Sequence, residues 1–235
     1  MSLPTDAASV DIACGDAVHL LGELPNESID LIVTDPPYRT ISGGSGPSSP
    51  IHQRPAGMLR KNDGKIFEHN ALAFSEYLPE LYRVLKSPAH LYLMVNFLNL
   101  EEALAQTRAA GFDIHNLLIW QKNNATPNRW YMKNAEYVIF ARKGSARAVN
   151  DKGSKTCHQF DNVRGKAHPT EKPVDLLRFY IANSSSAGDV VLDPFMGAGS
   201  TGLAALAEGR RFIGFEIDPE YFDVAEARLF PEETK

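Results

Sequence analysis

Residues 190–206 read VVLDPFMGAGSTGLAAL, an apolar run followed by a glycine-rich turn and a stretch with helical apolar spacing. Gly197, Gly199 and Gly202 satisfy GxGxxG, which permits a tight turn, close backbone approach to a ligand and close packing of the following helix. Taken alone the pattern is weak. Glu216, 14 residues beyond Gly202, closes the next apolar run, FIGFEID. A carboxylate at the end of that second strand can accept hydrogen bonds from both hydroxyls of a ribose. Together the turn and Glu216 point to an adenosine-containing ligand. Only 33 residues follow Gly202, too few for the second half of a dinucleotide fold. Asp193, Pro194 and Phe195 also separate the strand from the first glycine, and an acid there repels a pyrophosphate but attracts an amine or sulfonium. The spacing therefore favours S-adenosylmethionine over NAD.

Outward from this unit, short apolar runs alternate with helix-like segments, the pattern of a largely parallel sheet wrapped by helices. The runs predict strands over 11–14, 31–34, 90–95, 115–120, 137–141, 190–192 and 212–215. Helical periodicity predicts helices over 74–85, 100–110, 174–181 and 201–208. The strands near 115 and 137 are joined by a polar stretch without helical pattern, so they are expected to run antiparallel. No internal repeat or break in composition divides the chain, and one domain spanning 1–235 is expected.

Residues 28–38, SIDLIVTDPPY, form a second informative stretch. The prolines at 36 and 37 fix φ and remove donors, which aims the surrounding carbonyls rigidly away from any continuing ladder. An amino group has two N–H bonds to satisfy. Asp35 can accept one and the Pro36 carbonyl the other, turning the nitrogen lone pair toward an electrophile. Tyr38 offers a face on which a flipped base can stack.

DPPY at 35–38 and DPFMGAGSTG at 193–202, with HPTEKP at 168–173, resemble the amino-methylating DNA methyltransferases that act on adenine N6 or cytosine N4. The order, catalytic motif first and cofactor motif last, resembles the beta class of that family. The resemblance spans residues 12–218 and implies a Rossmann-like α/β methyltransferase fold, a mostly parallel sheet with one antiparallel strand and a circularly permuted motif order. It implies that Asp35, Pro36, Pro37 and Tyr38 hold the target base. Asp193, Pro194, Phe195, Gly197, Gly199, Ser200 and Thr201 would line S-adenosylmethionine, with Glu216 on its ribose. Thr170 and Lys172 would lie near its methionine carboxylate, His168 would serve there or as a turn residue, and Asp16 would contact the adenine ring. The implied reaction is direct methyl transfer from a sulfonium to an exocyclic nitrogen, without a covalent intermediate or a metal. Methylation at a ring carbon would need a cysteine nucleophile, and Cys14 and Cys157 follow Ala13 and Thr156 rather than a proline. DPPY resembles adenine enzymes more than the SPPY of cytosine N4 enzymes, so adenine N6 is expected, with N4 open. An NAD-dependent oxidoreductase and a catalytically silent DNA-binding module are the remaining rivals.

The chain has 235 residues, 43% hydrophobic and 23% charged, the profile of a globular protein with a core that needs no metal or disulfide. Its net charge of −5 excludes a surface that is basic throughout. That charge is unevenly spread: residues 121–172 hold 11 Lys and Arg against 4 acids, and the remainder of the chain sums to −12. The basic stretch also carries Trp130 and Tyr131, a mixture suited to phosphate contact and base stacking on double-stranded DNA. Residues 39–67 contain 12 Gly, Ser or Pro and five Lys or Arg, and a mobile loop beside the catalytic motif is expected there. Residues 144–167 lie where the resemblance places target recognition, and the segment there is short. Specificity is expected to come from a brief site, from the 39–67 loop, or from a homodimer that grips DNA with both copies. The N-terminal stretch lacks a secretory pattern and no run spans a bilayer, so a cytoplasmic protein is expected.

Overall fold

The structure, a computed structural model, describes residues 9–37, 72–126, 130–163 and 171–231. In chain order the elements are β1 (Val10–Cys14), α1 (Ala17–Glu23), β2 (Ile29–Thr34), α2 (Phe74–Val84), β3 (Leu85–Val95), α3 (Leu100–Ala109), β4 (Asp113–Thr126) and β5 (Lys133–Lys143). Then follow β6 (Cys157–Phe160), α4 (Val174–Ser184), β7 (Val190–Asp193), α5 (Ser200–Ala207), β8 (Arg211–Glu216) and α6 (Pro219–Leu229). One eight-stranded sheet runs β1-β8-β7-β2-β3-β5-β4-β6. Only β5 opposes its neighbours, pairing antiparallel with β3 (Val95 opposite Tyr137) and with β4 (Ile119 opposite Tyr137).

The central strands are apolar on both faces because both faces are covered. Along β2, Ile32 points into a core layer with Leu21, Tyr77, Leu78 and Leu81 of α1 and α2. Its neighbours Leu31 and Val33 point the other way, into a layer with Leu177, Tyr180, Ala204 and Leu229 of α4, α5 and α6. The same alternation places Val190 and Leu192 in the first layer and Val191 in the second. The result is a three-layer αβα sandwich.

Strands β7 and β2 are adjacent and parallel, with Leu31 opposite Val191. From β7 the chain crosses through α5 to β8 on one side; from β2 it crosses by way of α2 to β3 on the other. Adjacent strands that lead away in opposite directions open a crevice at their C-terminal ends, the place where open α/β sheets bind ligands. The glycine-rich turn after β7 and the Asp-Pro-Pro turn after β2 therefore meet at this crevice although 158 residues separate Asp35 from Asp193.

Two helices and one strand escape the periodicity reading. Helix α1 has seven residues, too short for a period to emerge, but Asp16 caps it by accepting from the His19 N–H at 2.9 Å. Helix α6 carries a start signal in Asp218-Pro219, with the Asp218 carboxylate accepting from the Glu220 N–H at 2.9 Å. Strand β6 is a four-residue edge strand with exposed Cys157 and Gln159, which hides its alternation. Among the described residues no helix is long and apolar enough to cross a membrane, and no group of three or more His, Cys, Asp or Glu could hold a metal ion.

Candidate active site

Asp193 is the last residue of β7 and is 4% exposed. Its Oδ1 accepts from Thr34 Oγ1 at 2.7 Å and from the Phe195 N–H at 3.1 Å; its Oδ2 accepts from Thr201 Oγ1 at 2.6 Å. Burial pushes this carboxyl up to about 6, against the pull of the three hydrogen bonds and with a further push from the nearby charge of Asp35. The carboxylate thus clamps the end of β2 (Thr34), the turn (Phe195) and the start of α5 (Thr201) into one unit. Thr34 is a member of the site that motif reading passed over, and its signal was only its place before Asp35.

After Pro194 and Phe195 the turn closes through Gly197 (φ 52°) and Gly199 (φ 77°), both in the left-handed region where a glycine is unstrained. Gly202 does different work: a Cβ there would stand 2.7 Å from Leu229 Cδ2 and 2.9 Å from Phe212, so this glycine lets α5 lie against β8 and α6. Glu216, at the end of β8, accepts from the Gly197 N–H and the Asp218 N–H, each at 2.9 Å, and burial pushes its carboxyl upward. Its own carbonyl accepts from the Gly15 N–H at 2.9 Å, which ties the end of β1 and Asp16 to the same rim. Ser200 Oγ donates to Glu171 Oε1 at 3.2 Å, and Arg228 binds the same oxygen at 2.8 Å, so the residue next to Lys172 is anchored to the start of α5.

On the other side of the crevice Asp35 follows β2, with Pro36 buried behind it. The Lys172 ammonium is paired with Asp35 and lies 3.6 Å from Glu136 Oε2 on β5. Glu136 in turn pairs with Lys122 of β4. Burial alone would raise the Glu136 carboxyl, but Lys172 and Lys122 together outweigh it and hold the group below the usual carboxylate range. Lys172, expected from the resemblance near a methionine carboxylate, here faces Asp35. Tyr38, His168 and Thr170 lie outside the described residues, as do residues 39–67 and 164–167.

The basic stretch sorts into two groups. Lys122 and Lys172 are paired as above, Arg142 pairs with Asp113 at 3.1 Å, and Lys143 is buried, donating to the carbonyls of Tyr82 (2.8 Å) and Leu85 (2.7 Å). These four are structural cations. Lys133, Lys152 and Lys155 are exposed. Because β5 is antiparallel, its N-terminal end, where Tyr137 faces Val95, adjoins the crevice rim, whereas Lys143 faces Ala89 at the opposite edge. Residues 144–156 leave from that opposite edge, and Asn150 donates there to the carbonyls of Ala182 (2.7 Å) and Ser185 (2.8 Å) after α4. Residues 130–132, which lead into β5 at the crevice end, are exposed instead: Trp130 79%, Tyr131 93% and Met132 62%.

A crevice at the switch point, a glycine turn and carboxylates at the ends of β7 and β8 define an adenosine-binding α/β fold of the methyltransferase type. The comparisons agree. The profile of the DNA methylase family (N6_N4_Mtase) matches residues 29–227. The Type II methyltransferase M2.DpnII of Streptococcus pneumoniae is 32% identical over 237 residues, covering 91% of this chain and 87% of the relative. The Type II methyltransferase M.HinfI of Haemophilus influenzae is 32% identical over 252 residues, covering 92% and 67%. The crystal structure of Thermus thermophilus TTHA0409 complexed with S-adenosyl-L-methionine superposes with a TM-score of 0.68 at 25% identity, covering 94% of this chain and 95% of that one. PvuII DNA methyltransferase, described as cytosine-N4-specific, shares the fold at 20% identity and a TM-score of 0.73, covering 97% and 88%. The chain belongs to the DNA methylase family.

Proposed function

We propose that the protein is an S-adenosylmethionine-dependent DNA methyltransferase that methylates the exocyclic N6 of adenine in a base flipped out of double-stranded DNA, in the cytoplasm. The observation that carries this reading is the meeting, at one switch point, of a Gly197–Glu216 adenosine cradle with an Asp35-Pro36 amine acceptor. The donor set fits the cofactor: Glu216 already rests on the Gly197 amide, where a ribose would add hydroxyl donors, and the acidic rim suits a sulfonium and an amine. Glu216, Asp16, Phe195 and the turn through Gly199 and Ser200 are the residues we assign to hold it, with Asp193 and Thr201 fixing the turn from beneath. When bound, S-adenosylmethionine supplies a methyl group on a sulfonium, an electrophile that needs no further activation.

The protein's own part is positioning. Asp35 accepts one amino hydrogen and the Pro36 carbonyl the other, which holds the nitrogen lone pair along the line of attack. The buried Pro36 and the Thr34–Asp193 bond fix that turn against the sheet. The exposed Trp130 and Tyr131 at the crevice end supply stacking surfaces for unpaired bases, and Lys133 a phosphate contact. Adenine is assigned on the DPPY resemblance.

Replacing Asp35 by Ala tests the reading: methyl transfer to DNA is expected to fall by about 10²- to 10⁴-fold, the usual worth of such a group. S-adenosylmethionine binding, measured by calorimetry, is expected to hold within about threefold, since Asp35 stands on the base side of the crevice. A fully active Asp35→Ala protein would remove Asp35 from the mechanism.

A further inference from the structure

Lys122, Glu136, Lys172 and Asp35 form a file of alternating charge that runs from β4 through β5 to the end of β2. Three of the four serve an evident purpose. Asp35 is the amine acceptor, Lys172 balances its charge, and Lys122 balances Glu136. Glu136 belongs to none of the sequence motifs, yet it is the member that faces two cations.

A difficulty at Asp35 gives Glu136 a purpose. The Lys172 ammonium donates to Asp35 Oδ2, and an incoming amino group must find its acceptor on the same carboxylate. An ammonium on that carboxylate draws away electron density that the amine needs from it, so the ion pair has to loosen as the base arrives. Lys172 is 9% exposed in its side chain, and loosening it into an apolar surrounding would strand a charge. Glu136 Oε2 stands 3.6 Å from the Lys172 nitrogen, less than about 1 Å beyond hydrogen-bond length. Against its burial, its carboxylate is kept anionic by Lys172 and Lys122, and it lies on a paired strand opposite Trp120 rather than on a loop. The cation thus has a second, fixed partner within a small swing.

Building on the assignment of Asp35 as amine acceptor, we propose that Glu136 is a positioning residue for methyl transfer: it draws the Lys172 ammonium off Asp35 as the target amino group arrives, leaving the Asp35 carboxylate to that group. Glu136 touches neither base nor cofactor in this scheme and acts through Lys172.

Single-turnover methyl transfer, with saturating S-adenosylmethionine and a DNA duplex carrying a mapped target site, tests it in Glu136→Gln, Glu136→Asp, Lys122→Gln and Asp35→Ala proteins. Glu136→Gln is expected to slow the transfer step by on the order of 10- to 100-fold, the cost of a misplaced acceptor, with cofactor affinity and melting temperature near those of the parent. Glu136→Asp, which keeps the charge, is expected to recover much of the rate, and Lys122→Gln to fall between them. A Glu136→Gln transfer rate within twofold of the parent, or an Asp variant no faster than the Gln variant, would overturn the proposal. If Glu136→Gln fails to fold, Lys122→Gln decides: an unchanged transfer rate there counts against it. Asp35→Ala separates the two assignments, because an active Asp35→Ala protein sinks the role of Asp35 itself, whereas an inactive one beside an unimpaired Glu136→Gln sinks only that of Glu136.

Discussion

Asp193 and Asp35 end adjacent strands and face the same crevice, yet they are held in opposite ways. Asp193 is buried and accepts from two hydroxyls and an amide, and no ion pair to it is seen among the described residues. Asp35 is partly exposed and its carboxylate is paired with an ammonium that has a second acceptor nearby. Neutral donors locked in a core make a fixed joint, while an ion pair at a half-open rim can exchange partners when a substrate enters. On the proposed reading, the cofactor side of the switch point is a frame and the base side a part that exchanges partners.

The sharpest way to break this contrast is stability. Asp193→Ala leaves the hydroxyls of Thr34 and Thr201 and the Phe195 amide without their acceptor in a buried site, and should cost about 3 kcal/mol or more in denaturant unfolding. Asp35→Ala should cost less, because the buried Lys172 ammonium it frees keeps Glu136 Oε2 as a partner 3.6 Å away. Equal losses would erase the distinction between frame and moving part.

The pH dependence of stability sharpens it next. The folded value of Asp193, about 6, lies above its ordinary 3.8, so between those values the folded state holds a proton that the unfolded chain has released. Its contribution favours the fold most below about pH 4 and fades as pH rises through about 6, a change of at most about 3 kcal/mol. The stability of the parent minus that of Asp193→Asn should follow this fall and stay level above pH 7. A flat difference would mean that burial leaves the Asp193 carboxyl at its ordinary value.

The smallest effect concerns DNA. Removing Trp130 and Tyr131 together should weaken duplex binding by roughly tenfold, at about 1–3 kcal/mol for a stacked base, with cofactor affinity unchanged. Lys152→Ala should change it less than about twofold, since the neighbouring Asn150 and Asp151 are bonded to the end of α4, at the edge opposite the crevice. Filter binding at fixed salt compares the two variants, and the reverse order would move recognition to residues 144–156.

The frame was legible in the sequence because its parts are contiguous. GxGxxG, the strand before it and Glu216 beyond it lie within 27 residues, and the continuous apolar runs of β2 and β7 announce strands covered on both faces. The antiparallel pairing of β4 with β5 was legible too, from a connection with no helical pattern. The moving part was half legible. Asp35 and Pro36 stood out because prolines leave a mark, whereas Glu136 sits in an ordinary strand and gains its meaning only when β5 is laid beside β3 near Asp35. The charge count of residues 121–172 pointed toward DNA but could not tell that Lys143 is buried on backbone carbonyls or that 144–156 departs from the far edge. Linear position carries no information about which end of an antiparallel strand a segment leaves.

The central claim is that Asp35 presents an adenine amino group for methylation. Nucleosides from the DNA of a methylation-free host expressing the protein, or its Asp35→Ala form, can be quantified by mass spectrometry. N6-methyladenine in the first and none in the second is the predicted result; N4-methylcytosine without N6-methyladenine, or equal N6-methyladenine in both, would contradict it.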